Sequence, residues 1–139
     1  MKYWDSSAIF SLFVEEQAPV NRMSLFKEDF QAITWWGSKV ECASAFSRLR
    51  REGALDEEGL SKALGNMDAF WETCMEILPS EEVRRRAIRL LRVHPLRAGD
   101  AFQLAAALLA AKEDPASLDI VTNDARLKSA AQREGFSVL

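Results

Sequence analysis

The sequence predicts an α/β fold: one mostly parallel central sheet flanked by helices. Three observations predict it. The chain has 139 residues, the size of one ordinary domain. Short β-favouring runs alternate with longer segments of helical periodicity, the signature of strand–helix–strand units. Only 6 Gly and 4 Pro are present, too few for a turn-rich small β architecture or a linker. No repeat or low-complexity tract divides the chain, so residues 1–139 are read as one domain.

Taken in order, residues 2–5 open as a short strand. From Ser6, a candidate N-cap, Ala8, Ile9, Leu12 and Phe13 recur at helical spacing. Pro19 interrupts, and a second short helix is expected through Val20, Met23, Leu25 and Phe26. Residues 32–35 favour the extended state, and Trp36-Gly37 ends that strand. Ser38 begins a long helix with the stripe Val40, Ala43, Phe46 and Leu49, and Gly53 stops it. Asp56 heads another, with Leu60, Ala63, Leu64, Met67, Phe70 and Trp71 on one face. Residues 75–78 fit either a frayed helix end or a strand stopped by Pro79. Ser80 opens a helix bearing Val83, Ala87, Leu90 and Leu91. Residues 94–99 read as a loop, and Asp100 begins an Ala-rich helix fading near Lys112. Residues 118–122 form the clearest strand. Asn123 and Asp124 cap a helix through Leu127, Ala130 and Ala131, closed by Gly135. Residues 136–139 are expected as a final strand.

Composition removes several function classes. The net charge is −3, from 18 basic and 21 acidic residues. This is too balanced for a protein that coats nucleic acid by bulk attraction. Residues 104–111 form the longest apolar run, far short of the ~20 that a spanning helix needs. Asp5 falls too early for a secretory leader. No membrane partner and a cytoplasmic location are therefore expected. Cys42 and Cys74 have no metal-ligand spacing and read as reduced thiols.

The candidate chemistry lies where helices begin. Asp5-Ser6 follows the first strand, Ser38-Lys39-Val40-Glu41 the second, and Thr122-Asn123-Asp124 a later one. Asp100-Ala101-Phe102-Gln103 opens a helix after a loop. Capping explains each singly: Ser38…Glu41 has capping-box spacing, Asp100…Gln103 is a close variant, and Asn123 and Asp124 are good caps. Jointly they suggest more. Ligands in open α/β sheets bind beyond the carboxyl ends of the strands, and adjacent strand ends would bring Asp5, Glu41 and Asp124 into one crevice. Gathered carboxylates repel one another unless a cation separates them. Oxygen-only ligation suits Mg²⁺ or Mn²⁺ better than zinc. Caps and a metal site both remain open on the residues alone.

Four stretches carry a family resemblance. They are Tyr3-Trp4-Asp5-Ser6-Ser7-Ala8, Val40-Glu41-Cys42-Ala43-Ser44-Ala45, Gly99-Asp100-Ala101-Phe102-Gln103-Leu104-Ala105, and Val121-Thr122-Asn123-Asp124 followed by Leu127, Ala130, Ala131 and Gly135. In this order and separation the chain resembles the PIN-domain ribonucleases, and within them the toxin half of VapBC toxin–antitoxin pairs. The resemblance implies catalytic and metal-holding roles for Asp5, Glu41, Asp100 and Asp124 around Mg²⁺ or Mn²⁺. It implies support from Ser6 and Thr122, and Asn123 is placed beside them. It implies hydrolysis of RNA phosphodiester bonds, a homodimer, and a cognate VapB-type antitoxin whose tail fills an apolar groove. Phe10, Leu12, Phe13, Val14, Leu25 and Phe26 are the candidate groove residues. The stretch 53–92 matches only in apolar pattern.

Two patches have double readings. Between residues 83 and 99 stand Arg84, Arg85, Arg86, Arg89, Arg92 and Arg97 without an acid. Arg84, Arg85 and Arg89 are RNA-binding candidates, or members of a solvated helix face. Trp36 could stack on a splayed base, or Trp35-Trp36 could serve packing alone. His94 is the sole histidine, which excludes a His-pair ribonuclease and makes it a helix-end residue. Two rivals to the toxin reading are a catalytically silent PIN-like scaffold and a phosphoacceptor signalling domain. The latter would want paired acids after the first strand and a late Lys.

Overall fold

The computed structural model describes residues 1–14 and 22–139. Strands β1 (Lys2–Trp4), β2 (Ala32–Trp35), β3 (Met75–Ile77) and β4 (Ile120–Val121) form one sheet in the order β3-β2-β1-β4. All three pairings are parallel. The helices are α1 (Ser6–Ser11), α2 (Arg22–Glu28), α3 (Ser38–Arg51), α4 (Glu57–Trp71), α5 (Glu81–Val93), α6 (Ala98–Ala110) and α7 (Ala125–Arg133), with a 3₁₀ turn at Pro115–Ser117. Pro19 and Val20 lie outside the described residues.

Alternation along the strands divides the core in two. Tyr3, Ile33 and Trp35 face a layer from α5, α6 and α7 that includes Val83, Leu90, Leu104 and Leu127. Trp4, Ala32 and Val121 face the opposite layer, with Phe46, Met67 and Phe70. β1 has neighbours on both sides. The chain leaves its carboxyl end towards β2, whereas β4 joins its other edge after the long excursion through α5 and α6. The β1–β4 junction is thus the switch point at which open parallel sheets form crevices.

Several start and stop signals act as the sequence predicts. Asp56 and Ser80 accept hydrogen bonds from the amides of Gly59 and Val83. Gly53 and Gly135 take φ of +79° and +102° just beyond α3 and α7, a region a β-carbon disfavours. The ambiguous stretch 75–78 resolves as a strand over Met75–Ile77, because β3 pairs with β2. Other boundaries differ. Asp5, not Ser6, caps α1, accepting from the Ala8 amide at 3.1 Å. α6 begins at Ala98, so the expected 94–99 loop is shorter, and Asp100 sits inside the first turn. The expected final strand over 136–139 contracts to a single bridge, Ile120 with Val138. β4 itself spans two residues, too few to template a longer edge.

Gly37 has a packing reason. A β-carbon there would stand 2.4 Å from Trp35 Nε1. The Trp35 ring stacks on Phe102, with centroids 5.4 Å apart and planes 1° from parallel. Trp35 is buried as the last residue of β2, while Trp36, in the turn that follows, is half exposed.

Candidate active site at the carboxyl ends of the strands

Asp5 ends β1 at the centre of the sheet and is 3% exposed. Ser7 Oγ donates to both of its oxygens, at 2.8 and 3.0 Å. Burial pushes its carboxyl up to about 6, against the opposing pull of the Ser7 hydroxyl and nearby amides. Ser7 also accepts from the Asn123 amide at 2.9 Å, which ties the ends of β1 and β4 together. Sequence reasoning included Ser7 in a motif without giving it a role.

Glu41 faces this point from α3. The capping box expected at Ser38…Glu41 does not form. Gly37 is the residue before the first helical turn, so Glu41 is one position too far along to reach back. Its carboxylate instead accepts from Ser6 Oγ at 2.5 Å and Gln103 Nε2 at 3.3 Å. Gln103 is 2% exposed. It also donates to Ser38 Oγ at 2.8 Å and accepts from the Tyr3 hydroxyl at 2.8 Å. Thr34 Oγ1, bonded to Ser38 Oγ at 2.9 Å and to the Trp4 carbonyl at 2.7 Å, completes a buried polar network behind Glu41. A buried glutamine with both amide ends engaged fixes its neighbours' orientation. The sequence offered Gln103 only as the partner of Asp100 in a capping-box variant, not as the anchor of Glu41.

Asp100 and Asp124 extend the acidic line. Asp100 accepts from the Arg97 amide at 3.3 Å, the back-reaching half of a capping box three residues earlier than Asp100…Gln103 predicts. Asp124 caps α7 through the Leu127 amide at 2.8 Å, and its own amide donates to Thr122 Oγ1 at 3.0 Å. Burial raises the Glu41 carboxyl, with Asp100 adding repulsion. Burial likewise raises Asp100, with Asp124 adding repulsion. Cys42, beside these groups, is pushed up to about 12 by burial and by the charges of Asp5 and Glu41. Glu41, Asp100 and Asp124 therefore form a chain of electrostatic neighbours. Among the described residues, no three His, Cys, Asp or Glu side chains converge into a ready metal cage.

A cleft of about 640 Å³ opens at the β1–β4 junction, with Ser7, Phe10, Arg22, Thr122, Asp124 and Lys128 among its lining. Arg22 was not singled out from the sequence. It is 5% exposed, and its Nε and Nη2 donate to Asn123 Oδ1 at 3.0 and 2.6 Å, while Nη2 also reaches the Thr122 carbonyl at 3.0 Å. Its Nη1 is buried with no hydrogen-bond partner among the described residues. Leaving a buried donor unpaired costs on the order of 1–3 kcal/mol, more when charged.

The Arg-rich helix is differently placed. Arg84 pairs with Glu81 at 2.9 Å, Arg86 with Glu82 at 2.9 Å, and Arg89 with Glu134 at 3.1 Å. Arg85 and Arg92 have no ion pair among the described residues. His94 is buried at the end of α5, with Nε2 donating to Glu134 at 2.7 Å.

No family model matches the chain. Two curated relatives, Ribonuclease VapC45 and Ribonuclease VapC49 from two strains of Mycobacterium tuberculosis, are each 29% identical over 136 residues. Each match covers 98% of this chain and 92% of the relative. The resemblance to VapC-type PIN-domain proteins is borne out. A solved toxin-antitoxin complex from Klebsiella pneumoniae shares the fold of this VapC-like chain, with a TM-score of 0.64. That match covers 89% of this chain and 87% of the other at 15% identity. The parallel α/β architecture is the predicted one. No helix among the described residues is long and apolar enough to cross a membrane.

Proposed function

We propose that this chain is a Mg²⁺- or Mn²⁺-dependent endoribonuclease toxin restrained by a cognate antitoxin. The observation that carries the reading is the acidic line at the carboxyl ends of the strands, in a chain similar along its length to two ribonucleases of this type. Asp5, Glu41, Asp100 and Asp124 would hold the ion. The donor set is oxygen-only, as a hard divalent cation prefers, and burial raises the carboxyls of Asp5, Glu41 and Asp100, with like-charge repulsion adding to the rise at Glu41 and Asp100. When bound, the ion supplies Lewis-acid polarisation of the phosphodiester and an activated water.

The protein's own groups set the geometry. Ser6 and Gln103 each hold one oxygen of Glu41, so the carboxylate cannot rotate freely. Ser7 grips both oxygens of Asp5 and the amide of Asn123. Thr122 fixes the turn that carries Asp124. Such preorganisation removes a reorganisation cost from the reaction.

The antitoxin is proposed to seat apolar anchors in a groove of about 320 Å³ between α1, α2 and α4, lined by Leu12, Phe13, Met23, Phe26, Phe30 and Phe70. A basic residue of its tail would enter the acidic site, preferably a forked Arg. A homodimer and a cytoplasmic location complete the reading. The scaffold alternative is favoured by one observation: Asp5, Asp100 and Asp124 each bond a helix-terminal amide.

The deciding experiment incubates purified protein with structured RNA in EDTA, Mg²⁺ or Mn²⁺, and compares Glu41→Gln and Asp124→Asn. Cation-dependent cleavage by the wild type and its loss in both variants is expected. Wild-type rates in both variants would favour the scaffold.

A further inference from the structure

The cleft at the β1–β4 junction contains two cationic groups that neither the metal-holding role nor antitoxin docking uses. Arg22 forms part of its wall with Nη1 buried and unpaired among the described residues. Lys128, one turn into α7, lines the same cleft, is exposed, and has no ion pair among the described residues. Asn123 beside them is already committed to Arg22 and to the Ser7 carbonyl, so its side chain orients the guanidinium. The cleft adjoins the acidic line, since Ser7, Thr122 and Asp124 belong to both. Phe10 and Val14 supply an apolar wall opposite the polar one.

We infer that this cleft is a nucleotide subsite, in which Arg22 and Lys128 bind a phosphate of single-stranded RNA flanking the bond to be cut, with a base packed against Phe10. The inference rests on the ribonuclease reading and adds the path of the substrate to it. Three features select this ligand. A forked guanidinium with a spare Nη group matches a phosphate oxygen. A lysine adds a mobile point charge on the open side. An aromatic wall suits any base, because every base has a π-face. The volume, about 640 Å³, is within the ~300–1,000 Å³ typical of small-molecule sites. On α5, by contrast, Arg84, Arg86 and Arg89 already face glutamates, so phosphate would have to displace an existing partner.

The test measures binding of a fluorescein-labelled single-stranded RNA dodecamer by anisotropy, in EDTA so that cleavage does not intervene, over a salt series. Full-length wild type is compared with Lys128→Gln, Arg22→Gln and, as a distant control, Arg92→Gln. Lys128→Gln should weaken binding about 5-fold and lower the slope of log K against log salt by about 0.7, one phosphate contact on a single strand. Arg22→Gln should cost about 10-fold, and Arg92→Gln less than 2-fold. Arg22 also holds the β4–α7 turn, so its variant is checked by thermal melting. Lys128→Gln is exposed and keeps the test decisive if Arg22→Gln misfolds. Wild-type affinity and slope in Lys128→Gln would overturn the subsite, as would an equal loss in Arg92→Gln or failure of the wild type to bind. Cleavage in Mn²⁺ is scored separately. Cleft-dependent binding without cleavage would defeat the ribonuclease reading alone, and cleavage with cleft-independent binding would defeat the subsite alone.

Discussion

The Arg-rich helix α5 and the cleft at the β1–β4 junction make opposite use of positive charge. α5 is conspicuous in the sequence, yet three of its arginines lie against glutamates on the surface, an arrangement worth only ~0–1 kcal/mol per exposed pair. Among the described residues, the cations lining the cleft are Arg22 and Lys128, and Arg22 is buried with its Nη1 lacking a hydrogen-bond partner. Charge density along the chain therefore does not by itself show which cations keep free hydrogen-bonding capacity. What matters is whether a cation retains unspent hydrogen-bonding capacity beside the reactive groups. The sequence shows the charge density of α5 but not its pairing with residues as distant as Glu113 and Glu134.

The largest expected effect comes from the acids beside the cleft. Asp5→Asn should lower Mn²⁺-dependent RNA cleavage by at least about 100-fold, since misplacing one group at a reacting centre can cost that much. Single-turnover cleavage at saturating RNA measures it. Double charge reversal of Arg85 and Arg92 on α5 should change the same rate less than about 3-fold. A comparable loss from α5 would erase the contrast between the regions.

A smaller effect is expected from the network behind Glu41. Gln103→Leu leaves the Tyr3 hydroxyl and Ser38 without partners they now have, and should destabilise the fold by roughly 1–3 kcal/mol. It should also weaken Mn²⁺ binding in calorimetry about 10-fold, the lower range for loss of a group that orients a metal ligand. Destabilisation with unchanged Mn²⁺ affinity would confine Gln103 to the core. Asp100→Asn sharpens the same question. Relief of repulsion from Glu41 and Asp124 should make the chelated variant more stable than chelated wild type by on the order of 1 kcal/mol. Wild type should gain the larger melting increment from Mn²⁺, because an ion bound only by the native state stabilises it by mass action.

The smallest effect belongs to α5. Burial pushes Glu134 up, but hydrogen bonds and charge from His94 and Arg89 outweigh it, leaving the carboxyl below the ordinary glutamate range. A depressed acid contributes stability that is fully present above its unfolded pKa and is lost as pH falls through its folded one. Glu134→Gln should therefore cost about 1 kcal/mol at pH 7, and the difference from wild type should shrink as the pH drops below about 4. Urea titrations at pH 7 and pH 3.5 read the change. A constant difference would mean that the α5 pairing is not what depresses Glu134.

Much of this protein was determined by local sequence. Helical periodicity, N-terminal Asp and Ser, and Gly at the stops act over a few residues, so α3, α4, α5 and α7 were legible, as was the end of β2 at Trp36-Gly37. The order of Asp5, Glu41, Asp100 and Asp124 relative to the strands was legible too. Tertiary structure alone decided what each side chain does there. Tyr3 meets Gln103 across 100 residues, Ser6 meets Glu41 across 35, and Arg22 meets Asn123 across 101. No propensity or spacing rule spans such separations. Local backbone geometry gave the cap of α1 to Asp5 and placed Glu41 one position beyond capping-box reach, and the long-range bonds then engaged Glu41 with Ser6 and Gln103. Hydrogen-bonding groups take whichever partner the packed sheet brings within about 3 Å, and that proximity is a property of the fold.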